Sequence, residues 1–82
     1  MNRQIYEIAR EIRKTWESPY FGAVPYIEAM LQLGPITDMY GCDPADMIVA
    51  YFLGNATTWR GEDARRIKKE LNAILKSHER NR

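Results

Sequence analysis

The sequence contains a single cysteine, Cys42, so no disulfide can form within the chain and the fold must depend on a hydrophobic core. No run approaches the roughly 18 consecutive apolar residues that a membrane span needs. The first residues carry charges too closely spaced for a signal peptide. The sequence therefore predicts one cytosolic domain, residues 1–82, with no membrane segment.

Residues that carry chemistry are equally scarce. Neither of the two serines stands in a Gly-x-Ser-x-Gly motif, and the five glycines are scattered rather than gathered in a phosphate-binding loop. Cys42 and His78 could pair as nucleophile and base, but a lone cysteine is more often a small buried hydrophobe. Asp43 and Asp46 are explained by a helix start rather than by a metal. We predict no catalytic residue, no metal site and no cofactor.

Size also favours recognition at the surface. A chain of 9.6 kDa buries only about 63% of its unfolded surface, which leaves one modest core. A ligand cavity of about 300–1,000 Å³ would hollow out much of that core. The expected function is therefore binding through the surface, without an enclosed active site.

The formal net charge of +1 conceals an uneven distribution of charge. Residues 1–16 carry +2, residues 17–59 contain no Lys or Arg and carry −5, and residues 60–82 carry +4. Such asymmetry is typical of a chain with a charged partner, although an acidic core segment between two solvated helices would look the same.

Amphipathic patterns predict a helix at each end of the chain. The first helix is expected from Asn2 to about Trp16 and the last from about Glu62 to His78, with a frayed tail at 79–82. Their apolar faces are Ile5, Ile8, Ala9, Ile12 and Trp16 in the first helix, and Ala64, Ile67, Leu71, Ile74 and Leu75 in the last.

A short helix is expected between about Pro25 and Leu33. Proline suits the first turn of a helix, and Gly34 would supply a left-handed C-terminal cap. Residues 36–42 fit either one helical turn or a loop closed by Gly41.

A third long helix is predicted near residues 44–54. Asp43 can cap this helix, Pro44 fits its first turn, and residues 47–53 are apolar on every side. A helix that is apolar all round belongs at the centre of a bundle, and Gly54 either ends it or admits a close neighbour. The predicted fold is all-α, a compact four-helix domain with a fifth helical turn if the ambiguous segment is helical.

The basic residues of the two terminal helices favour one flank of each helix. If those helices pack antiparallel, the flanks could merge into a strip that follows a phosphate backbone. Solvated helix flanks are the alternative, and a net charge of +1 is far from that of a strongly basic nucleic-acid domain. The candidate strip for nucleic acid or another anionic partner comprises Arg10, Arg13, Arg65, Lys68, Lys69 and Lys76.

Aromatic residues concentrate in the middle of the chain, where eight of the nine lie between positions 16 and 59. Most are expected in the core, because aromatic rings supply its largest pieces. Three of them stand in the charge-free stretch 19–26, and an exposed patch there would suit a protein partner or a homodimer. These candidate contact residues are Tyr20, Phe21 and Tyr26.

Two stretches carry a resemblance. One is residues 51–71, which read Tyr-Phe-Leu-Gly-Asn-Ala-Thr-Thr-Trp-Arg-Gly-Glu-Asp-Ala-Arg-Arg-Ile-Lys-Lys-Glu-Leu, and the other is residues 26–30, which read Tyr-Ile-Glu-Ala-Met. Both resemble small uncharacterised proteins of bacterial phages and conjugative elements. The resemblance implies a bacterial, cytosolic, accessory setting and transfers no functional residue. We therefore expect a small non-enzymatic accessory protein that acts through protein contacts, with weak, largely non-specific nucleic-acid binding as the alternative.

Overall fold

The computed structural model describes residues 2–80 and contains four helices and one short hairpin. Among these helices, none combines the length and the apolar character that crossing a bilayer requires. The elements are α1 (Ile5–Thr15), a 3₁₀ turn (Phe21–Ala23), α2 (Val24–Met30), β1 (Met39–Tyr40), β2 (Asp43–Pro44), α3 (Ala45–Gly54) and α4 (Glu62–Arg80).

The four helices form a closed ring of contacts, in which α1 and α3 each pack against both α2 and α4. Helices α1 and α4 run antiparallel, since Arg3 contacts Glu70 while Glu11, further along α1, contacts the earlier Arg66. The predicted four helices are thus confirmed. The prediction that the third helix occupies the centre of the bundle is wrong, because α3 is one side of the ring.

The core is wholly apolar, and none of the described polar or charged residues is buried in it. Its aromatic centre is a stack of Trp16 on Trp59, with ring centroids 5.2 Å apart and planes inclined by 10°. Phe52 meets both indoles edge-on at 6.3 Å. These three rings join the C-terminal end of α1, the last turn of α3 and the loop before α4.

The start of α1 is fixed by the loop that follows α2. The first N–H groups of a helix have no partner within it. Here Ile5 donates to the carbonyl of Gly34 at 2.8 Å and Tyr6 donates to that of Leu33 at 2.9 Å. The expectation that Gly34 forms a left-handed cap is wrong, because its φ is not positive. A Cβ there would lie 3.2 Å from the side-chain oxygen of Gln4, a contact tight enough that the Gln4 side chain would have to shift by a few tenths of an ångström.

A β-hairpin replaces the helical alternative for residues 36–42, so the fold is mostly helical rather than strictly all-α. Gly41, with a φ of +61°, and Cys42 form a two-residue turn between the strands. Glycine at the first central position is typical of a type II′ hairpin turn. Because Asp43 pairs in β2, it does not cap α3, and Ala45 donates instead to the carbonyl of Asp38 at 2.9 Å.

The ends of the last two helices are close to those predicted. Helix α3 ends at Gly54, where an added Cβ would meet no atom within 4 Å, so this glycine ends the helix and admits no neighbour within the chain. Helix α4 continues through Glu79 to Arg80, two residues beyond the predicted end. The remainder of the expected frayed tail, Asn81 and Arg82, lies outside the described residues.

Candidate protein-contact surface

Helix α3 is apolar on two faces, and only one of them is covered. Its inner face packs in the core and consists of Ala45, Ile48, Val49 and Phe52. The outer face, called the α3 face below, consists of Met47, Ala50, Tyr51 and Gly54. These four residues fall within about 100° of the helix circumference at 100° per residue.

The α3 face carries no charge and is largely open to solvent. Tyr51 is 52% exposed, Ala50 and Gly54 are exposed, and Met47 is half-buried. The one charged residue of the helix, Asp46, lies in its first turn, where its carboxylate accepts the N–H of Met47 at 3.0 Å. A surface helix normally turns polar side chains outward. The outer face of α3 therefore departs from the usual pattern of a solvated helix.

Aromatic side chains extend this face past the C-terminal end of α3. The aromatic patch is defined here as Tyr20, Phe21, Tyr26 and Tyr51. Phe21 is 80% exposed and Tyr20 is 44% exposed, with their ring centroids 4.9 Å apart. Tyr26 is half-buried, and its ring centroid lies 5.8 Å from that of Tyr51.

Gly22 connects the two halves of the aromatic patch. A Cβ at this position would lie 2.6 Å from Cε2 of Tyr20 and 2.9 Å from Oδ1 of Asn55. The amide of Asn55 in turn donates to the carbonyl of Tyr51 at 2.9 Å. The close approach that glycine permits thus holds the loop of Tyr20 and Phe21 against the C-terminal end of α3.

Three residues were predicted as contacts. Tyr20 and Phe21 are exposed, whereas Tyr26 is half-buried and its ring packs against that of Tyr51. Tyr51, Ala50 and Gly54 are not predicted as contacts by the sequence. Positions 47, 50, 51 and 54 share one helix face, but the other faces of this segment are apolar as well, so the sequence does not indicate which face meets solvent.

A second apolar surface lies at the opposite end of α3. The hairpin that leads into this helix exposes Met39 by 52% and Tyr40 by 43%. Cys42 lies exposed in the turn between the two strands. Exposed apolar side chains therefore occur at both ends of α3 and along its outer face.

The residues of the candidate basic strip lie on two separate surfaces. Helices α1 and α4 are antiparallel neighbours, but the flanks that meet carry the acids. Glu11 of α1 accepts Arg66 of α4 at 2.6 Å, and Glu70 of α4 accepts Arg3 bidentately at 2.7 and 2.9 Å. This ion-pair network is completed by Arg3 on Glu11 and by Asp63 on Arg66. On α1, Arg10 and Arg13 line one depression together with Glu11 of this network.

The network also sets the ionisation of its members. Hydrogen bonds from Arg66 and Arg3 hold the pKa of Glu11 below its ordinary value, although partial burial opposes the effect. The hydrogen bond to Glu70 raises the pKa of Arg3, so this guanidinium stays charged.

The six candidate cations differ in their surroundings. Lys68 is half-buried and donates to the carbonyl of Trp59 at 2.7 Å, and desolvation lowers its pKa. The guanidinium of Arg10 lies 5.0 Å from the ring centroid of Tyr6. The other four are exposed and form no ion pair with a carboxylate of residues 2–80, namely Arg13, Arg65, Lys69 and Lys76.

Chemistry-bearing side chains are not assembled elsewhere in the described part of the chain. No group of three or more metal-ligating side chains occurs within residues 2–80. His78 faces Asp46 at 3.7 Å, whereas Cys42 stands in the hairpin turn. A surface depression of about 600 Å³ is lined by α1 residues alone, so no second element faces it across the opening.

Comparisons with protein-family models, with curated proteins and with solved structures gave no match for this chain.

Proposed function

We propose that this chain is a small non-enzymatic interaction module of the cytoplasm that binds a protein surface through the α3 face and the aromatic patch. The observation that carries the proposal is the uncharged, solvent-exposed outer face of α3, continued by exposed aromatic rings. Aromatic residues and methionine are enriched at protein interfaces, where charged residues are depleted from the core of the contact. The α3 face and the aromatic patch have that composition.

The exposed area supports the same conclusion. At about 200 Å² per aromatic side chain, the exposed fractions of Tyr20, Phe21 and Tyr51 amount to about 350 Å². The largest apolar patch on a typical monomer covers about 300–600 Å² and is often functional. A specific interface needs about 800 Å² per partner, of which somewhat more than half is apolar. Three rings thus supply most of the apolar area that such an interface uses.

Site-specific photocrosslinking in cells that express the chain tests the proposal. Benzoylphenylalanine incorporated at Tyr51 is expected to give discrete crosslinked species, which mass spectrometry identifies. The same group at Lys69, an exposed position of α4, is the control and is expected to give none. A diffuse background at both positions, or equal products at both, would contradict an interaction through the α3 face.

Binding to nucleic acid is a second candidate function. It is favoured by exposed cations that form no ion pair with described carboxylates, among which Arg65, Lys69 and Lys76 lie on one flank of α4. Phosphate contacts by such a flank would give salt-dependent binding without base specificity. The test is fluorescence anisotropy with labelled duplex DNA and RNA at about 50 mM salt, where phosphate-driven binding is strongest.

The control for this test is a variant in which the three cations of the α4 flank are replaced by glutamine. We expect it to lose most of the affinity and to lower the slope of log K against log salt by up to about 2.7 for duplex DNA. No binding by the wild-type chain at about 50 mM salt would rule out this second function.

A further inference from the structure

We infer that the partner of the α3 face is a second copy of this chain, bound with the two α3 helices antiparallel across a two-fold axis. This inference rests on the proposed function and adds the identity of the partner. In a two-fold interface the same surface is used by both copies, so the surface must be complementary to itself. The α3 face meets that condition residue by residue.

The complementarity comes from the order of large and small side chains along α3. In an antiparallel pair centred between Ala50 and Tyr51, Met47 of one copy lies opposite Gly54 of the other, and Ala50 lies opposite Tyr51. Each long side chain therefore faces a small one. The Cβ position of Gly54 has no atom within 4 Å in the single chain, which leaves room for the methionine of a second copy.

The same arrangement brings together the exposed apolar residues at the two ends of α3. Tyr20 and Phe21 adjoin its C-terminal end through Gly22 and Asn55, whereas Met39 and Tyr40 lie on the hairpin that leads into its N-terminal end. Antiparallel pairing places the C-terminal end of one copy beside the N-terminal end of the other. The aromatic patch of each copy is thereby brought to the end of α3 from which the other copy's hairpin extends.

Charge also favours a second copy in this orientation. The four residues of the α3 face carry no charge, and the ionisable side chains that border Met47 and Ala50 are Asp46 in the first turn and His78 and Glu79 of α4. In the antiparallel pair the two Asp46 residues are nine positions apart along the helix axis, about 13 Å. That separation exceeds the screening distance of about 8 Å at physiological ionic strength. A parallel pair would instead place the two carboxylates side by side.

Sedimentation equilibrium on the purified chain tests the dimer. We expect a reversible dimer with a dissociation constant in the micromolar range, which Ala50→Lys raises at least about 30-fold because the longer, charged side chain of each copy would have to be buried against the other copy near the axis. Ala73→Lys is the matched control, since Ala73 is an exposed alanine on the outer side of α4, and it leaves the dissociation constant unchanged. Circular dichroism of both variants verifies that the monomer is folded.

Disulfide trapping tests the register. In a Cys42→Ser background, the double variant Met47→Cys/Gly54→Cys is expected to form a covalent dimer on mild oxidation. The two positions are about 10.5 Å apart on one helix, too far for a disulfide within a chain. Each single variant is expected to form no covalent dimer, because its two cysteines are equally far apart along the axis of the antiparallel pair.

The outcomes separate the inference from the proposed function. A wild-type chain that sediments as a monomer at about 500 µM overturns the dimer, as do covalent dimers from the single variants, which indicate a parallel register. Neither result touches the photocrosslinking test, in which a product between Tyr51 and a different protein would still support an interaction module. A dimer that Ala73→Lys disrupts as strongly as Ala50→Lys overturns the assignment of the contact to α3.

Discussion

Two adjacent aromatic residues of α3 should respond very differently to the same substitution. Phe52 is fully buried on the inner face of the helix, whereas Tyr51, about 100° away around the axis, is 52% exposed on the outer face. Replacing each residue by leucine therefore removes an aromatic ring from the core in one case and from the surface in the other. The comparison keeps the helix, the neighbouring residues and the introduced side chain nearly constant.

The magnitude for Phe52→Leu follows from its contacts. Phe52 packs edge-on against Trp16 and Trp59 at 6.3 Å, and such aromatic pairs contribute about 0.5–1.5 kcal/mol each beyond their buried area. The smaller leucine also leaves a cavity, which adds about 0.5 kcal/mol. We expect the free energy of unfolding to fall by about 2 kcal/mol, equivalent to a decrease in Tm of about 8–16 °C for a domain of this size.

Tyr51→Leu is expected to change the free energy of unfolding by less than about 0.5 kcal/mol when the chain is dilute and monomeric. The assay is urea denaturation followed by far-ultraviolet circular dichroism at about 1 µM protein. The near-ultraviolet circular dichroism of the packed Trp16 and Trp59 should persist in both folded variants. Equal destabilisation by the two substitutions would refute the assignment of the inner and outer faces of α3.

Three further predictions concern the ion-pair network and the loops. Glu11→Gln should lower the free energy of unfolding at pH 7 and reduce the further loss of stability in acid. A carboxylate whose pKa is depressed stabilises the fold above its ordinary pKa and loses that effect as the pH falls through the pKa of the folded state. Thermal unfolding at neutral and acid pH, at low and 1 M salt, checks this, with Glu28→Gln as a control that changes nothing. Asp38→Asn should likewise reduce the decrease in the free energy of unfolding between neutral and acid pH, since N–H groups of the neighbouring loop depress the pKa of Asp38. An unchanged decrease in acid would contradict this prediction. Gly61→Ala should cost about 1–2 kcal/mol by urea denaturation, because its φ is +110° while an added Cβ meets nothing within 4 Å, and D-alanine introduced there by chemical synthesis should restore wild-type stability.

The terminal helices were predictable because each has a polar and an apolar side. The 3.6-residue period in α1 and α4 identified the apolar faces, and the residues it named are buried, apart from the half-buried Leu75. The hairpin was not predictable in this way, since strands of two residues show no periodicity. A left-handed backbone was predicted at Gly34, whereas the folded chain has a positive φ at Gly41, which the sequence indicated only as the possible end of a loop.

The candidate surfaces were less accessible to sequence analysis. Hydrophobic periodicity cannot distinguish a buried face from an exposed one in a segment that is apolar throughout, so residues 47–53 gave no indication that one face meets solvent. For the basic residues, the flank of each helix could be identified, but which flanks adjoin depends on the rotation of α1 and α4 about their axes. The pairs Arg3–Glu70 and Glu11–Arg66 supplied that information.

The contact between α1 and α4 has a consequence for synthesis of the chain on the ribosome. The Arg3–Glu70 pair joins residues 67 positions apart. A nascent chain that has emerged only through α3 therefore lacks the helix that covers one side of α1, and it also lacks the part of the core that Ile67, Leu71 and Ile74 supply. Since contacts of such high sequence separation form late, this domain should acquire its native packing only once α4 has left the exit tunnel.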